Sequence, residues 1–201
     1  MDSALSVRGA DPSAMAVLAT ALEDALAVRG APERPVVFAC IGTDRSTGDA
    51  LGPLVGQRLR RLGCGDDQVV GTLEHPLHAL NLAERATLLA ARPERPLVVA
   101  VDASLGVSTS VGTVTLRPGG LRPGQGVGKD LPAVGELSLT ACVNVGAGAL
   151  DAQVLQSTRL FMVQGLAELI GTACWWAVRS LARHAARAEA GEAVVLAGRA
   201  A

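Results

Sequence analysis

Apolar and polar positions follow two rhythms along this chain. "VVFACIG" (36–42) and "PLVVAVDA" (96–103) are short, continuous apolar runs rich in β-branched residues, the pattern of strands buried on both faces. "QVVGTL" (68–73) is a third such run, and between the runs the spacing changes to that of helices. "LGPLVGQRLRRLG" turns Leu51, Leu54, Val55 and Leu59 toward one side and carries Arg58, Arg60 and Arg61 near its end, where positive charge suits the helix dipole. "HALNLAERATLLAA" predicts another helix. "ADPSAMAVLATALEDALAVRG" predicts a third, with Asp11 as N-cap, Pro12 at the first helical position and Gly30 beyond the end. Strand and helix in alternation imply parallel neighbours joined by right-handed crossovers, hence a sheet covered by helices on both faces.

The second half adds variety. "VGTVTL" has a period close to two, and "ELSLTACVN" puts Leu137, Leu139, Ala141 and Val143 on one face of a further strand, so the sheet is expected to be mixed. Residues 117–135, "RPGGLRPGQGVGKDLPAVG", hold too much glycine and proline for a regular element, and a loop that long is expected to border the functional cleft. From about Asp151 a helical pattern runs toward Arg187, with Gly165 and Gly171 as bends. The whole predicts a three-layer α/β/α sandwich in one domain of 201 residues: an N-terminal helix and linker (1–34), an α/β core (36–187) and a loose tail (188–201).

Composition narrows the partners. The net charge is -1, aromatics are 2%, tyrosine is absent and Lys129 is the sole lysine, so there is no basic, aromatic-studded face for nucleic acid. The four cysteines, at 40, 64, 142 and 174, form no CxxC pair, and three of them lie in apolar runs as buried reduced thiols would. "LFMVQGLAELIGTACWWAV" (160–178) approaches the length of a membrane span, but Gln164, Glu168 and Thr172 interrupt it and favour a packing helix. The start of the chain lacks the apolar stretch of a signal peptide, which points to the cytoplasm.

The chemistry gathers after the first apolar strand. "GTDRSTGDALGP" (42–53) has neither the spacing and lysine of a phosphate loop nor the G-x-G-x-x-G of a dinucleotide loop. Its Asp49 has an ordinary alternative role as the cap of the helix beginning near Leu51. The second apolar strand also delivers an aspartate, Asp102, whose plainer role is to bond the backbone of "SLG". An open α/β sheet binds ligands beyond the carboxyl ends of its strands, and two carboxylates at one such edge can share a proton and activate a water, or hold a metal ion that does so.

These residues carry a resemblance. "CIGTDRSTGDALGPLVG", "HPLHALNL", "VAVDASLG", "LRPGQGVGKDLPAVGE" and "VLQSTRL" are similar to segments of the YyaC-type sporulation proteins, relatives of the germination protease of endospore formers, over about Val36 to Leu160. The wider superfamily, which includes the hydrogenase maturation endopeptidases, implies a sandwich of the phosphorylase/hydrolase type. The germination protease uses acidic residues in a "PDALGP"-like loop and at a "DAL"-like strand end, which correspond here to Asp49 and Asp102. The resemblance thus implies a peptidase of sporulation or germination, in the cytoplasm of a spore-forming cell or its forespore, acting on small acid-soluble spore proteins. It leaves open a catalytically inactive relative that binds a peptide or protein in the same cleft, and a metal-dependent endopeptidase.

The hydrogenase endopeptidases add a downstream histidine for their substrate's metal, and no histidine stands at a matching place here. His75 and His78, with the two aspartates, are the remaining metal candidates; no other cofactor is implied. Asp44, Arg45, Lys129 and Asn144 are candidate substrate-binding or supporting residues: Asp44 as a third carboxylate or the ion-pair partner of Arg45, Lys129 at the tip of the long loop, Asn144 as a ligand to a peptide carbonyl or a turn former. The expected partner is a peptide or small spore protein, with neither nucleic acid nor membrane bound directly, and a homo-oligomer is left open.

Overall fold

The computed structural model describes the backbone of residues 3–122 and 133–199. Six strands, β1 (Leu5–Arg8), β2 (Val36–Cys40), β3 (Val69–Val70), β4 (Leu97–Gly106), β5 (Thr113–Pro118) and β6 (Leu137–Val145), form one sheet in the order β1-β5-β6-β4-β2-β3. The apolar runs are its parallel centre: β2 pairs with β3 and β4, and β4 with β6. β5 and β1 continue it antiparallel, which gives the mixed sheet expected from the period-two segments.

Helices flank both faces. On one side α1 (Ala14–Ala27), α2 (Leu51–Arg61) and α5 (Leu160–Arg199) bury Leu22, Leu51, Leu59 and Ile170 against Phe38, Val99, Val101 and Leu139. On the other, α3 (Leu82–Ala90) closes a smaller cluster of Leu82, Ile41, Leu77, Ala39 and Ala100. Each fully buried aliphatic side chain contributes about 1.5–3 kcal/mol of transfer free energy, so the larger cluster dominates the stability of the fold.

The route of the chain fixes where ligands can bind. From β2 it crosses through α2 to β3 on one side; from β3 it crosses through α3, over β2, to β4 on the other. With right-handed crossovers, opposite directions of travel put α2 and α3 on opposite faces. The loop leaving β2 toward α2 and the later part of β4 both lie toward the carboxyl end of the parallel strands, the end at which open α/β sheets bind ligands.

Several elements differ from the sequence pattern. β1 lies in the segment expected to hold only a helix and linker, and pairs with β5 over Leu5–Leu116 to Arg8–Thr113. The helical stretch after residue 151 is two helices, α4 (Asp151–Gln156) and α5, parted at Ser157–Arg159, where the Ser157 and Thr158 hydroxyls bond back to the Gln153 and Val154 carbonyls. Gly171 is no bend: a Cβ there would press into the Arg58 side chain, so glycine lets α2 and α5 approach. α5 runs on to Arg199, through residues expected to form a loose tail. Its stretch Leu160–Ala188 is long and apolar enough to cross a membrane, but Val163, Leu166, Ala167, Ile170, Ala173, Cys174, Ala177 and Leu181 recur at helical spacing and are buried in the core.

Candidate active site

Asp102 lies within β4, which continues to Gly106, and not at its end. It stands one residue past the last β2 partner pair, Cys40 and Val101. Beyond that pair the Ile41 N–H still donates to the Val101 carbonyl at 2.7 Å, after which the chain turns away and leaves the Asp102 flank open. Period two puts Asp102 on the same face as Ala100, the face that α3 covers. A register shift between Ser104 and Leu105 against β6 bends the strand just beyond it.

Asp49 reaches the same place from the β2–α2 loop. The loop is closed on itself: the Thr43 N–H donates to the Asp49 carbonyl at 3.2 Å and the Ala50 N–H to the Ser46 carbonyl at 2.9 Å. Gly42 makes the closure feasible, since its φ is 144° and a Cβ would be driven into the Asp49 carbonyl oxygen. Two outside bonds clamp the loop, from Gly42 N–H to the Leu77 carbonyl and from Gly48 N–H to the Leu155 carbonyl at the end of α4, both at 2.8 Å.

Neither carboxylate is used in the ordinary way. Helix α2 starts after Ala50 with no side-chain cap, so Asp49 does not cap it, and its carboxylate has no hydrogen-bond or ion-pair partner among the described residues. The single bond to the Asp102 carboxylate is the adjacent Ala103 N–H at 2.8 Å, and "SLG" continues as strand. Burial first, and the Asp49 charge second, push the Asp102 carboxyl from an ordinary 3.8 up to about 8, against the Ala103 N–H. Burial also raises Asp49. Both side chains keep some contact with solvent. An Asp102 carboxyl raised to about 8 keeps its proton at neutral pH, beside an Asp49 whose charge adds to that shift.

The other candidates separate from this pair. Asn144 is spent on structure: its amide donates to Thr158 Oγ1 at 3.2 Å and toward the Val154 carbonyl at 3.5 Å, tying β6 to α4 and so, through Leu155, to the Asp49 loop. Asp44 and Arg45 are exposed and form no ion pair with each other among the described residues. His75 and His78 line a polar groove of about 660 Å³ along the β3 edge, with Arg60, Arg85 and Asn81, a groove that includes neither aspartate. Among the described residues no three of histidine, cysteine, aspartate or glutamate are placed to hold a metal ion. Lys129 lies outside the described residues. The described ends of its loop spring from the opposite end of the sheet, where the Glu136 N–H meets the Val98 carbonyl near the start of β4, four residues before Asp102.

Sequence reasoning missed two nearby groups. Ser46 Oγ, in the Asp49 loop, is buried without a partner among the described residues. Thr140 pairs in register with Asp102. The alternation of "ELSLTACVN" carried the signal for Thr140, because a face of Leu137, Leu139, Ala141 and Val143 leaves Ser138, Thr140 and Cys142 on the other.

Comparison with known proteins agrees with this architecture. The family model described as "Protein of unknown function (DUF1256)" matches residues 6–173, and the chain belongs to that family. It is 44% identical over 160 residues to the uncharacterized protein YyaC of Bacillus subtilis (strain 168), covering 80% of this chain and 77% of that one. Among solved structures it is similar to the NiFe hydrogenase maturation protease HycI from Thermococcus kodakarensis KOD1, with a TM-score of 0.51 and 18% identity, over 79% of this chain and 99% of that one. At that identity the likeness is one of fold.

Proposed function

We propose that this DUF1256 protein is an aspartate-pair endopeptidase acting on small acid-soluble spore proteins in the cytoplasm of a spore-forming cell or its forespore. The observation that carries the chemistry is the partnerless Asp49 carboxylate beside an Asp102 whose carboxyl is raised to about 8. The fold shared with the maturation protease HycI supports a polypeptide substrate.

Asp49, the easier of the two to ionise, takes a proton from a water whose oxygen attacks the scissile carbonyl carbon. Asp102, neutral at pH 7, gives its proton to the carbonyl oxygen, so that a neutral gem-diol forms. On collapse, the proton held by Asp49 passes to the amide nitrogen, the C–N bond breaks, and Asp102 recovers a proton from the gem-diol. The products are a carboxyl end and a free amine, and the pair returns to its starting state.

Incubation of the purified full chain with small acid-soluble spore proteins, followed by intact mass, tests this. Discrete cleavage products are expected, unchanged by chelator and reduced at least about 100-fold by Asp49→Asn or Asp102→Asn. Absence of cleavage at any pH from acid to alkaline overturns it.

A further inference from the structure

On the face that carries Asp102, the strands beyond β4 bear a row of hydroxyls. Asp102 pairs with Thr140, Thr140 with Thr115, and Thr115 with Ser6, so four neighbouring strands present one polar side chain each at the same level. Ser6 Oγ and Thr115 Oγ1 are 2.9 Å apart, while the Thr140 hydroxyl has no protein partner among the described residues. Helix α3 covers β2 and β4 but no described helix lies over this side of β5 and β1, whose Leu5, Val7, Val114 and Leu116 face the opposite, larger core. Ser6 is exposed, and Thr115 and Thr140 keep part of their surface in solvent. Arg8 and Arg117, exposed, flank the row on the same face, one on each side, and Asp102 is the one acidic residue those strands present there.

We infer that the row Thr140, Thr115 and Ser6 is a binding strip leading away from Asp102, and that it takes an extended polypeptide segment with acidic side chains. Hydroxyls both donate and accept, so they serve the alternating N–H and C=O groups of an extended backbone without demanding one sequence. Strands are about 4.8 Å apart, so the row from β4 to β1 spans about 14 Å, the length of roughly four extended residues. The arginines on either side select anionic side chains over cationic ones, and place the bound segment so that its continuation reaches Asp102. The inference rests on the peptidase reading for the fate of the bound segment, not for its binding.

The test uses full-length Asp102→Asn protein, which cannot turn the segment over, and two fluorescein-labelled peptides of roughly 12 residues that alternate Thr or Val with Glu in one and with Lys in the other. Anisotropy at low salt should show the Glu peptide binding at least about 10-fold more tightly than the Lys peptide, with Arg8→Glu plus Arg117→Glu reversing the preference. Thr115→Val plus Thr140→Val should weaken the Glu peptide about 5- to 10-fold, and Thr115→Ser plus Thr140→Ser should restore it. Equal affinity for the two peptides, a preference untouched by the arginine reversals, or tighter binding of a DNA duplex than of the Glu peptide would each overturn the strip. If wild type cleaves no spore protein while the peptide preference holds, the peptidase reading falls and the strip stands. If the arginine-reversed protein cleaves spore proteins with unchanged KM, the strip falls and the peptidase reading stands.

Discussion

Replacing Asp102 by asparagine should make the protein more stable, and increasingly so as pH rises. The native carboxyl titrates near 8 and the unfolded one near 3.8, so between those values the folded state holds a proton that the unfolded state has released. Wild-type stability must therefore fall with rising pH through that window and level off above about 8. At about 1.4 kcal/mol per tenfold change in acidity, the full window sets a ceiling of about 6 kcal/mol. Partial contact with solvent and screening by salt reduce this to an expected 2–3 kcal/mol, roughly. Asparagine keeps the shape and an oxygen for the Ala103 N–H, and removes the titration. Urea unfolding of both proteins should show Asp102→Asn ahead by about 2–3 kcal/mol at pH 9 and by about a third of that at pH 5. A stability difference that does not change with pH, or one that is larger at pH 5, would refute the argument. Burial of a carboxylate at a cost to the fold is the mark of a group kept for chemistry.

Three further outcomes follow from the same geometry. In the cleavage assay kcat/KM should fall as pH rises through about 8, when Asp102 loses its proton, and fall again on the acid side as Asp49 gains one at a pH above 3.8; a plateau extending beyond pH 9 would contradict it. Gly42→Ala should cost about 3 kcal/mol or more in urea unfolding, because its φ of 144° and the Asp49 carbonyl both oppose a Cβ; a change within about 0.5 kcal/mol would show that the loop closes otherwise. Asn144→Ala should lose about 1–2 kcal/mol and lower kcat with KM little changed, since Asn144 acts on Asp49 through α4 and Leu155; faster hydrogen exchange at Gly48 is the accompanying sign, and unchanged exchange there would break the chain of contacts.

The centre of the sheet was legible because parallel strands buried on both faces are written as continuous apolar runs, and "VVFAC" and "LVVAV" can hardly be anything else. The aspartates stood out for the same reason, as charges set against apolar runs. What local pattern could not show was settled by distant partners. β1 is four residues, "LSVR", with no burial rhythm of its own until β5 pairs with it. The break between α4 and α5 depends on Thr158, whose hydroxyl accepts from Asn144 across 14 positions of sequence. Gly171 looked like a bend because the Arg58 side chain that fills its missing Cβ is far away in the chain. Histidines 75 and 78 follow the neighbouring strand and still line another groove, since it is Leu77 between them that pairs beside Ile41 and enters the core.

The central claim is that Asp49 and Asp102 form one coupled acid–base pair, with Asp102 protonated at neutral pH. Carboxyl ¹³C NMR titration of aspartate-labelled wild type and Asp49→Asn tests it most directly. The account predicts an Asp102 resonance that titrates near 8 in wild type and at lower pH once the Asp49 charge is gone, yet still above 3.8 because burial remains. An Asp102 resonance that titrates near 4 and is indifferent to Asp49→Asn would contradict it.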